Sequence, residues 1–387
     1  MAALARPVPD VSVLMPVRDG GPYLAPALES VLDQTGVAFE VICVDDGSAD
    51  DTWRVLRGYA ERHANLRAHR AEGSGISDAL NQALDLARGR FVARMDADDL
   101  CRPGRLALQA RWLDAHPELG VLGGQALVID AQGRDLGRLR VRVGAERVRA
   151  TLGTSSPLIH PTVMMRRAPV LAAGGYRRLL DGAEDYDLWL RLAPSVRLDN
   201  LAQPLLHYRR HSGQKTVRQP FRQARLAALA VVADRLRRER GRDPFAGSVP
   251  LAHWRAAFAA LDPAAVDEVR RLTASRLADN GGTLSPRGEA YFRLACRSLP
   301  DGGAHEVRRR LALACVRHEL QTLRSGRWME AAHALAHDAL RWRGGLVRAY
   351  FWHASILWHT APKRPIARPI GARSHLCAPG RTRPDEA

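Results

Sequence analysis

The chain has 387 residues, of which 46% are hydrophobic and 26% charged, with five cysteines and a formal net charge of +17. This length can bury a substantial core and suggests two domains, and the apolar content argues against a disordered chain. Cys43, Cys101, Cys296, Cys315 and Cys377 are scattered and form no C-x-x-C pair, which argues against a disulfide or zinc framework and fits a reducing cytoplasmic compartment.

Val11 to Pro16 reads as a first strand ended by proline, and Arg18-Asp19-Gly20-Gly21-Pro22 as a turn. A helix follows from Tyr23 to Gln34, with Leu24, Leu28, Val31 and Leu32 on one face. Phe39 to Val44 is a second strand running into Asp45-Asp46-Gly47-Ser48, where Ser48 is the expected N-cap of a helix carrying Trp53, Leu56 and Tyr59. A weak strand spans Leu66 to Arg70, Gly73-Ser74-Gly75 opens a helix through Ala87, and residues 90–95 form the next strand. This β-α-β-α-β-α-β spacing predicts a parallel sheet flanked by helices.

Beyond residue 100 come a helix with Leu106, Trp112 and Leu113, and a hairpin from Val121 to about Val143 that turns at Asp130-Ala131-Gln132-Gly133. Pro157 to Arg166 reads as extended and contains His160. Gly174-Gly175-Tyr176 is a turn, a helix with acidic residues in its first turn opens at Ala183, and Pro204 to Tyr208 is a last strand.

In parallel sheets ligands bind beyond the carboxyl ends of the strands. Three of these ends, at Pro16-Val17, Asp45-Asp46 and Asp96-Ala97-Asp98-Asp99, place polar and acidic residues along one rim. The carboxylates of Asp96, Asp98 and Asp99 repel one another unless a cation sits among them, so they read either as a metal site or as a solvated acidic turn. No G-x-G-x-x-G or G-x-x-x-x-G-K-S/T follows the first strand, which argues against a dinucleotide cofactor or a P-loop.

Seven segments, in order, carry a resemblance. They are Val13 to Asp19, Val44-Asp45-Asp46-Gly47-Ser48, Ala79-Leu80-Asn81, Met95 to Asp99, Gly174-Gly175-Tyr176, Glu184 to Trp189 and Tyr208-Arg209-Arg210-His211. With these, residues 8 to about 212 resemble family 2 inverting glycosyltransferases. The resemblance implies an α/β architecture, the GT-A nucleotide-diphospho-sugar transferase fold, with a mostly parallel Rossmann-like sheet flanked by helices and followed here by an α-helical C-terminal domain.

The resemblance also implies roles. Pro16, Val17, Asp19, Asp45, Asp46, Asp96, Arg209 and His211 would bind the nucleotide sugar, with Pro16 and Asp46 at the base. A carboxylate accepting from a uracil-type N–H discriminates by hydrogen bond, although an Asx-turn at Asp45-Asp46 is the structural alternative. Asp98 and Asp96, with His211, would hold Mn²⁺ or Mg²⁺; these hard cations take few protein carboxylates and complete their shell with diphosphate oxygens and water. Asp99 is left undecided. Asp185 would be the catalytic base, since inversion requires one carboxylate to deprotonate the acceptor on the face opposite the leaving group. Glu184 and Asp187 read as acidic first-turn residues interacting with the helix dipole, and Trp189 and Leu190 as core anchors.

The charge divides unevenly. Residues 1–211 carry 27 basic and 26 acidic side chains and residues 212–387 carry 31 and 15, nearly all the basic ones being arginine. The expected division is an N-terminal extension at 1–9, a catalytic domain at 10–215, a basic α-helical domain at 216–361 and a disordered tail at 362–387. Helices are expected at 224–240, 249–261, 265–277, 285–298, 307–323 and 328–342. The segment 346–358 would either lie in a membrane interface or pack in the core.

Neither a signal-peptide pattern at Met1–Asp10 nor an apolar run of bilayer-spanning length is seen. The expected protein is therefore a metal-dependent transferase moving sugar from a nucleotide donor, a UDP-sugar by preference, to a hydroxyl of a cell-envelope glycan or lipid-linked acceptor. It would be cytoplasmic and peripheral on the inner membrane, with an anionic membrane surface as a partner and no nucleic acid. An Arg-rich nucleic-acid-binding protein is the alternative of another class, but stacking aromatics and a basic recognition helix are missing. A catalytically silent glycan-binding module is the third.

Overall fold

A computed structural model describes residues 8–211, 213–214, 220–245 and 261–279. The chain begins with β1 (Val11–Val17), a 3₁₀ turn at Gly21–Tyr23 and α1 (Leu24–Leu32). Then follow β2 (Phe39–Asp46), α2 (Thr52–Arg62), β3 (Leu66–Ala71), α3 (Ile76–Leu86) and β4 (Phe91–Arg94). The next elements are β5 (Leu100–Cys101), α4 (Arg105–Ala115), the hairpin β6 (Leu119–Ile129) and β7 (Asp135–Leu139), and α5 (Ala145–Leu152). After a 3₁₀ turn at His160–Thr162 come β8 (Met164–Arg166), α6 (Arg167–Ala172), α7 (Glu184–Leu192) and β9 (Arg197–Arg209). Two further helices are described, α8 (Pro220–Arg240) and α9 (Pro263–Asp279).

The strands form one sheet in the order β3-β2-β1-β4-β8-β6-β9-β5, with β7 on β6. The first half is the expected parallel sheet, β3 with β2, β2 with β1 and β1 with β4. The second half is mixed: β8 runs antiparallel to β4 and β6, β6 and β9 are parallel, and β5 is antiparallel to β9. The flanking helices make the α/β fold, and the sheet is less parallel than the α/β spacing of the first hundred residues suggests.

Period-two alternation explains why the central strands read as continuous apolar runs. Leu14 of β1, Ile42 and Val44 of β2 and Val92 of β4 face one buried cluster with α3, α7 and α8. Val13, Met15, Val41, Cys43, Phe91 and Ala93 face the other, with α1, α2 and α4. A strand covered on both faces has no polar side to show.

Local expectations are corrected at three places. Helix α2 is capped at Asp51 without a side-chain hydrogen bond, and Ser48 Oγ instead accepts the Asp19 N–H at 2.9 Å. The stretch around His160 is a 3₁₀ turn rather than extended, as Pro161 withholds a ladder donor there. The last strand begins at Arg197 rather than Pro204, because β6 offers it a parallel partner over its whole length.

Helix α8 buries Leu226, Leu229, Val232 and Leu236 in the cluster that holds Tyr186, Leu188 and Trp189 of α7. Trp189 is fully buried there. Trp189→Ala should cost about 3–5 kcal/mol, checked by denaturant unfolding of the full chain; a loss below about 1 kcal/mol would show the indole to be dispensable. No described helix is long and apolar enough to cross a membrane. The helices expected at 285–298, 307–323 and 328–342, the segment 346–358, the tail from 362 and all but the last residue of 249–261 lie outside the described residues.

Candidate active site

Strand register builds the rim. Val17 of β1 pairs with Asp45 of β2, and Leu14 of β1 pairs with Arg94 of β4, so three carboxyl ends open at one edge of the sheet. Gly47, at φ 71°, lets the loop after β2 approach the backbone of Gly73, where an added Cβ would lie 3.1 Å from the Gly73 Cα. Only glycine fits this close, left-handed position.

The nucleotide-binding candidates sit along this edge with distinct surroundings. Pro16 and Val17 are buried, Val17 packing among core residues. Asp45 is fully buried, its Oδ1 accepting the Ser48 N–H at 3.0 Å and its Oδ2 lying 3.6 Å from Arg70 Nε. Asp46 Oδ1 accepts the Gly75 N–H at 3.1 Å, and its Oδ2 lies 3.8 Å from Arg18 Nη1. Asp19 is the one described non-glycine residue at positive φ, and its Oδ1 accepts the Ala49 N–H at 2.8 Å. Its carboxylate thus braces the loops after β1 and β2 against each other.

The carboxylates of Asp96, Asp98 and Asp99 offer oxygens within 4.8 Å of one another. Asp96 and Asp98 are 30% and 28% exposed, whereas Asp99 is fully buried. Arg94 Nη1 contacts Asp96 Oδ1 at 2.6 Å, and His211 Nε2 lies 2.9 Å from Asp98 Oδ2. Asp99 Oδ1 accepts the Arg209 N–H at 2.8 Å, while its buried Oδ2 has no hydrogen-bond partner. Burial, with Asp96 and Asp98 nearby, holds the Asp99 carboxyl well above the usual range. An orphaned buried oxygen beside two part-exposed carboxylates is the all-oxygen donor set that Mn²⁺ or Mg²⁺ prefers, so these residues fit such an ion.

Arg209 closes this corner. Its Nε donates to the Asp98 carbonyl at 2.8 Å, its Nη1 to the Asp130 carbonyl at 3.2 Å, and its guanidinium lies 4.9 Å from the centre of the Tyr23 ring. The Tyr23 ring is also 4.8 Å from the His211 ring. Tyr23 was not singled out from the sequence, where nothing but its place after a Gly-Gly-Pro turn marks it.

Asp185, in the first turn of α7, is part-exposed and within electrostatic reach of Arg94 and Asp96. Burial pushes its carboxyl up to about 6, against the pull of Arg94. Neighbouring Glu184 is buried, accepts the Gly182 N–H at 2.6 Å, and is pushed up to about 7 by burial and by Asp185. Asp187 stands in the first turn of α7 as expected, and there it is fully buried and paired with Arg191 Nε at 2.8 Å. Arg191 donates in turn to the carbonyls of Ala173 and Gly175, and Asn81 holds Tyr176 by two 2.8 Å backbone bonds. The Gly-Gly-Tyr turn is thereby tied to both α7 and α3.

Two further groups complete the wall. Arg94 is 2% exposed, with the carboxyl groups of Asp96 and Glu184 and the Tyr176 phenol acting on it. An arginine inside an apolar run was a signal in the sequence, since a buried guanidinium must be paired. His160 Nε2 lies 3.0 Å from the Tyr176 hydroxyl, and burial with the Arg94 charge drives its basicity well below the ordinary imidazole value, so it is neutral.

Comparison with known proteins identifies the family. The model of glycosyl transferase family 2 matches residues 12–174. The putative glycosyltransferase EpsE of Bacillus subtilis (strain 168) is 34% identical over 209 residues, covering 53% of this chain and 74% of the relative. This chain belongs to glycosyl transferase family 2. The family 2 enzyme is also 31% identical over 206 residues to the O-antigen biosynthesis glycosyltransferase WbnJ of Escherichia coli, across 52% of this chain and 80% of that one. Among solved structures, S. aureus TarS 1–349 in complex with UDP-GlcNAc superposes with a TM-score of 0.52 at 18% identity, over 82% of this chain and 92% of that chain. The GT-A fold expected from the seven segments is thus the fold observed, and the chain is a transferase of sugars.

Proposed function

We propose that this glycosyltransferase is metal-dependent and inverting, and moves sugar from a UDP-sugar to a hydroxyl of a cell-envelope glycan or lipid-linked acceptor at the cytoplasmic side of the membrane. One observation carries the reading. The part-exposed base candidate Asp185 lies some ninety residues from Asp96 and Asp98 in the chain, yet Asp185 and Asp96 share the buried charge of Arg94. The UDP-GlcNAc bound by TarS and the O-antigen role in the name of WbnJ support the donor and acceptor classes.

In this reading Asp46, at the end of β2, accepts from the base, and Asp96 and Asp98 hold the ribose side and the diphosphate. Bound Mn²⁺ or Mg²⁺ would supply Lewis-acid stabilisation of the departing diphosphate. Asp185 takes the proton of the acceptor hydroxyl as that oxygen attacks the anomeric carbon from the face opposite the diphosphate. Arg94 keeps Asp185 and Asp96 from repelling each other, and Arg209 and His211 fix the carboxylate corner. The catalytic domain would span residues 10–215, with the basic helical region following.

The test is a screen of sugar nucleotides for divalent-dependent turnover, with the anomeric configuration of the product read by NMR. Release of UDP only with Mn²⁺ or Mg²⁺, and an inverted product, are expected; retention of configuration would overturn the mechanism.

The pH dependence follows from Asp185. A base must be ionised, and lowering the pH through about 6 protonates this carboxyl. Hence kcat/KM should fall by about tenfold per pH unit below that value and level off above it. A profile flat down to pH ~4, the ordinary aspartate range, would remove Asp185 from the role.

A further inference from the structure

The basic character assigned above to residues 212–387 has a counterpart within the catalytic domain. In Leu136-Gly137-Arg138-Leu139-Arg140-Val141-Arg142-Val143 every second residue from 138 is arginine. Successive strand residues point to opposite faces, and the alternation is realised here. Leu139 and Val141 pack against the small cluster of Ala126, Ile159 and Leu206, while Arg138, Arg140 and Arg142 are exposed.

The row stays extended past the end of β7 because side chains hold its backbone. Gln125 accepts the Val141 N–H at 2.8 Å and donates to the Val141 carbonyl at 3.1 Å, and Asn200 donates to the Arg142 carbonyl at 2.9 Å. Same-face arginines on extended chain then stand about 6.8 Å apart. Arg147 and Arg149 are also exposed, on the two flanks of α5 either side of buried Val148. Among the described residues none of these five arginines has a carboxylate within ion-pair distance, although most other arginines of the domain do.

Unpaired guanidinium groups in a row fit an array of phosphates. Two features select a bilayer over a soluble polyanion. Leu136, at the bulge in β7, and Val143, at the end of the row, are two of the five exposed large apolar side chains among the described residues. Residues 134–150 contain no aromatic side chain on which bases could stack. The turn of the hairpin also touches the site, since Arg209 donates to the Asp130 carbonyl.

We infer that the outward face of β7 and its continuation, Arg138, Arg140 and Arg142 with exposed Leu136, docks the catalytic domain on anionic lipid headgroups. This rests on the reading of an acceptor held at a membrane, and it locates the contact in the catalytic domain rather than in the basic region after residue 215. Aliphatic side chains enter the headgroup boundary while guanidinium groups pair with phosphate.

The test is co-sedimentation of the full chain with phosphatidylcholine vesicles, with and without phosphatidylglycerol. Binding should require phosphatidylglycerol and weaken in 1 M salt, where charges are screened beyond about 3 Å. Arg138→Ala/Arg140→Ala/Arg142→Ala should weaken it about a hundredfold, about fivefold per arginine, with UDP affinity unchanged. The corresponding triple lysine variant should retain binding within a few-fold.

Equal vesicle binding by the wild type and the triple alanine variant would overturn the inference. So would arginine-dependent binding to single-stranded RNA or polyphosphate without binding to vesicles. Turnover on sugar nucleotides is measured separately, so loss of the transferase reading and loss of the docking surface are distinguishable.

Discussion

Asp185→Asn should lower kcat by about 10²–10⁴-fold while UDP binding stays within a few-fold of wild type. Asparagine keeps the size of the side chain and its place at the start of α7, but its amide cannot take the acceptor proton. The site is built for such a group: Asp185 is part-exposed, whereas Glu184 and Asp187 in the same turn are buried. Glu184 accepts the Gly182 N–H and Asp187 is paired with Arg191, so neither is placed to substitute. Steady-state kinetics beside calorimetric titration of UDP separate the two effects. Near-normal turnover in the variant would remove Asp185 as the base, and loss of UDP binding would assign it to the donor site.

Asp98→Asn should abolish the Mn²⁺-dependent part of UDP binding. Changing an outer-shell partner of a metal typically costs about 10–100-fold in affinity, and loss of a ligand itself should exceed that. Asp98 is the carboxylate for this test because its partner, His211, is itself a candidate ligand, whereas the partners of the other two hold the fold. Asp96 is in contact with the buried Arg94, and Asp99 accepts the Arg209 N–H that secures the end of β9. A thermal shift by UDP with Mn²⁺, and its loss with a chelator, is the readout. The variant should unfold at the same temperature as wild type without ligand and respond equally little with Mn²⁺ or chelator present. An undiminished Mn²⁺-dependent shift would place the ion away from this cluster.

Much of the fold and of the site was legible in the chain itself, and the reason is locality. Val11 to Pro16 and Phe39 to Val44 read as strands because apolar residues covered on both faces leave a continuous run. The acidic residues that end the runs mark the rim because a parallel sheet puts consecutive strand ends on one side. Arg94 could have been found by the same logic, as a charge inside such a run.

What local sequence left open was the division of labour among similar carboxylates. Asp99 was undecided because its partner, the Arg209 N–H, lies 110 residues away. Asp187 read as a first-turn acid, and the structure adds that it is buried against Arg191; Asp19 read as a nucleotide contact, and the structure adds that its carboxylate accepts the Ala49 N–H. The mixed half of the sheet was equally hidden, because pairing between β6 and β9 depends on segments some eighty residues apart.

The sequence by itself therefore determined which residue types gather at the strand ends, and with them the family. Only the tertiary structure decided which of those carboxylates are spent on holding loops and helices and which remain part-exposed for chemistry. The physical reason is that a carboxylate's role is set by its burial and by the donors that reach it, and for Asp96, Asp98, Asp99 and Asp185 those neighbours come from distant parts of the chain.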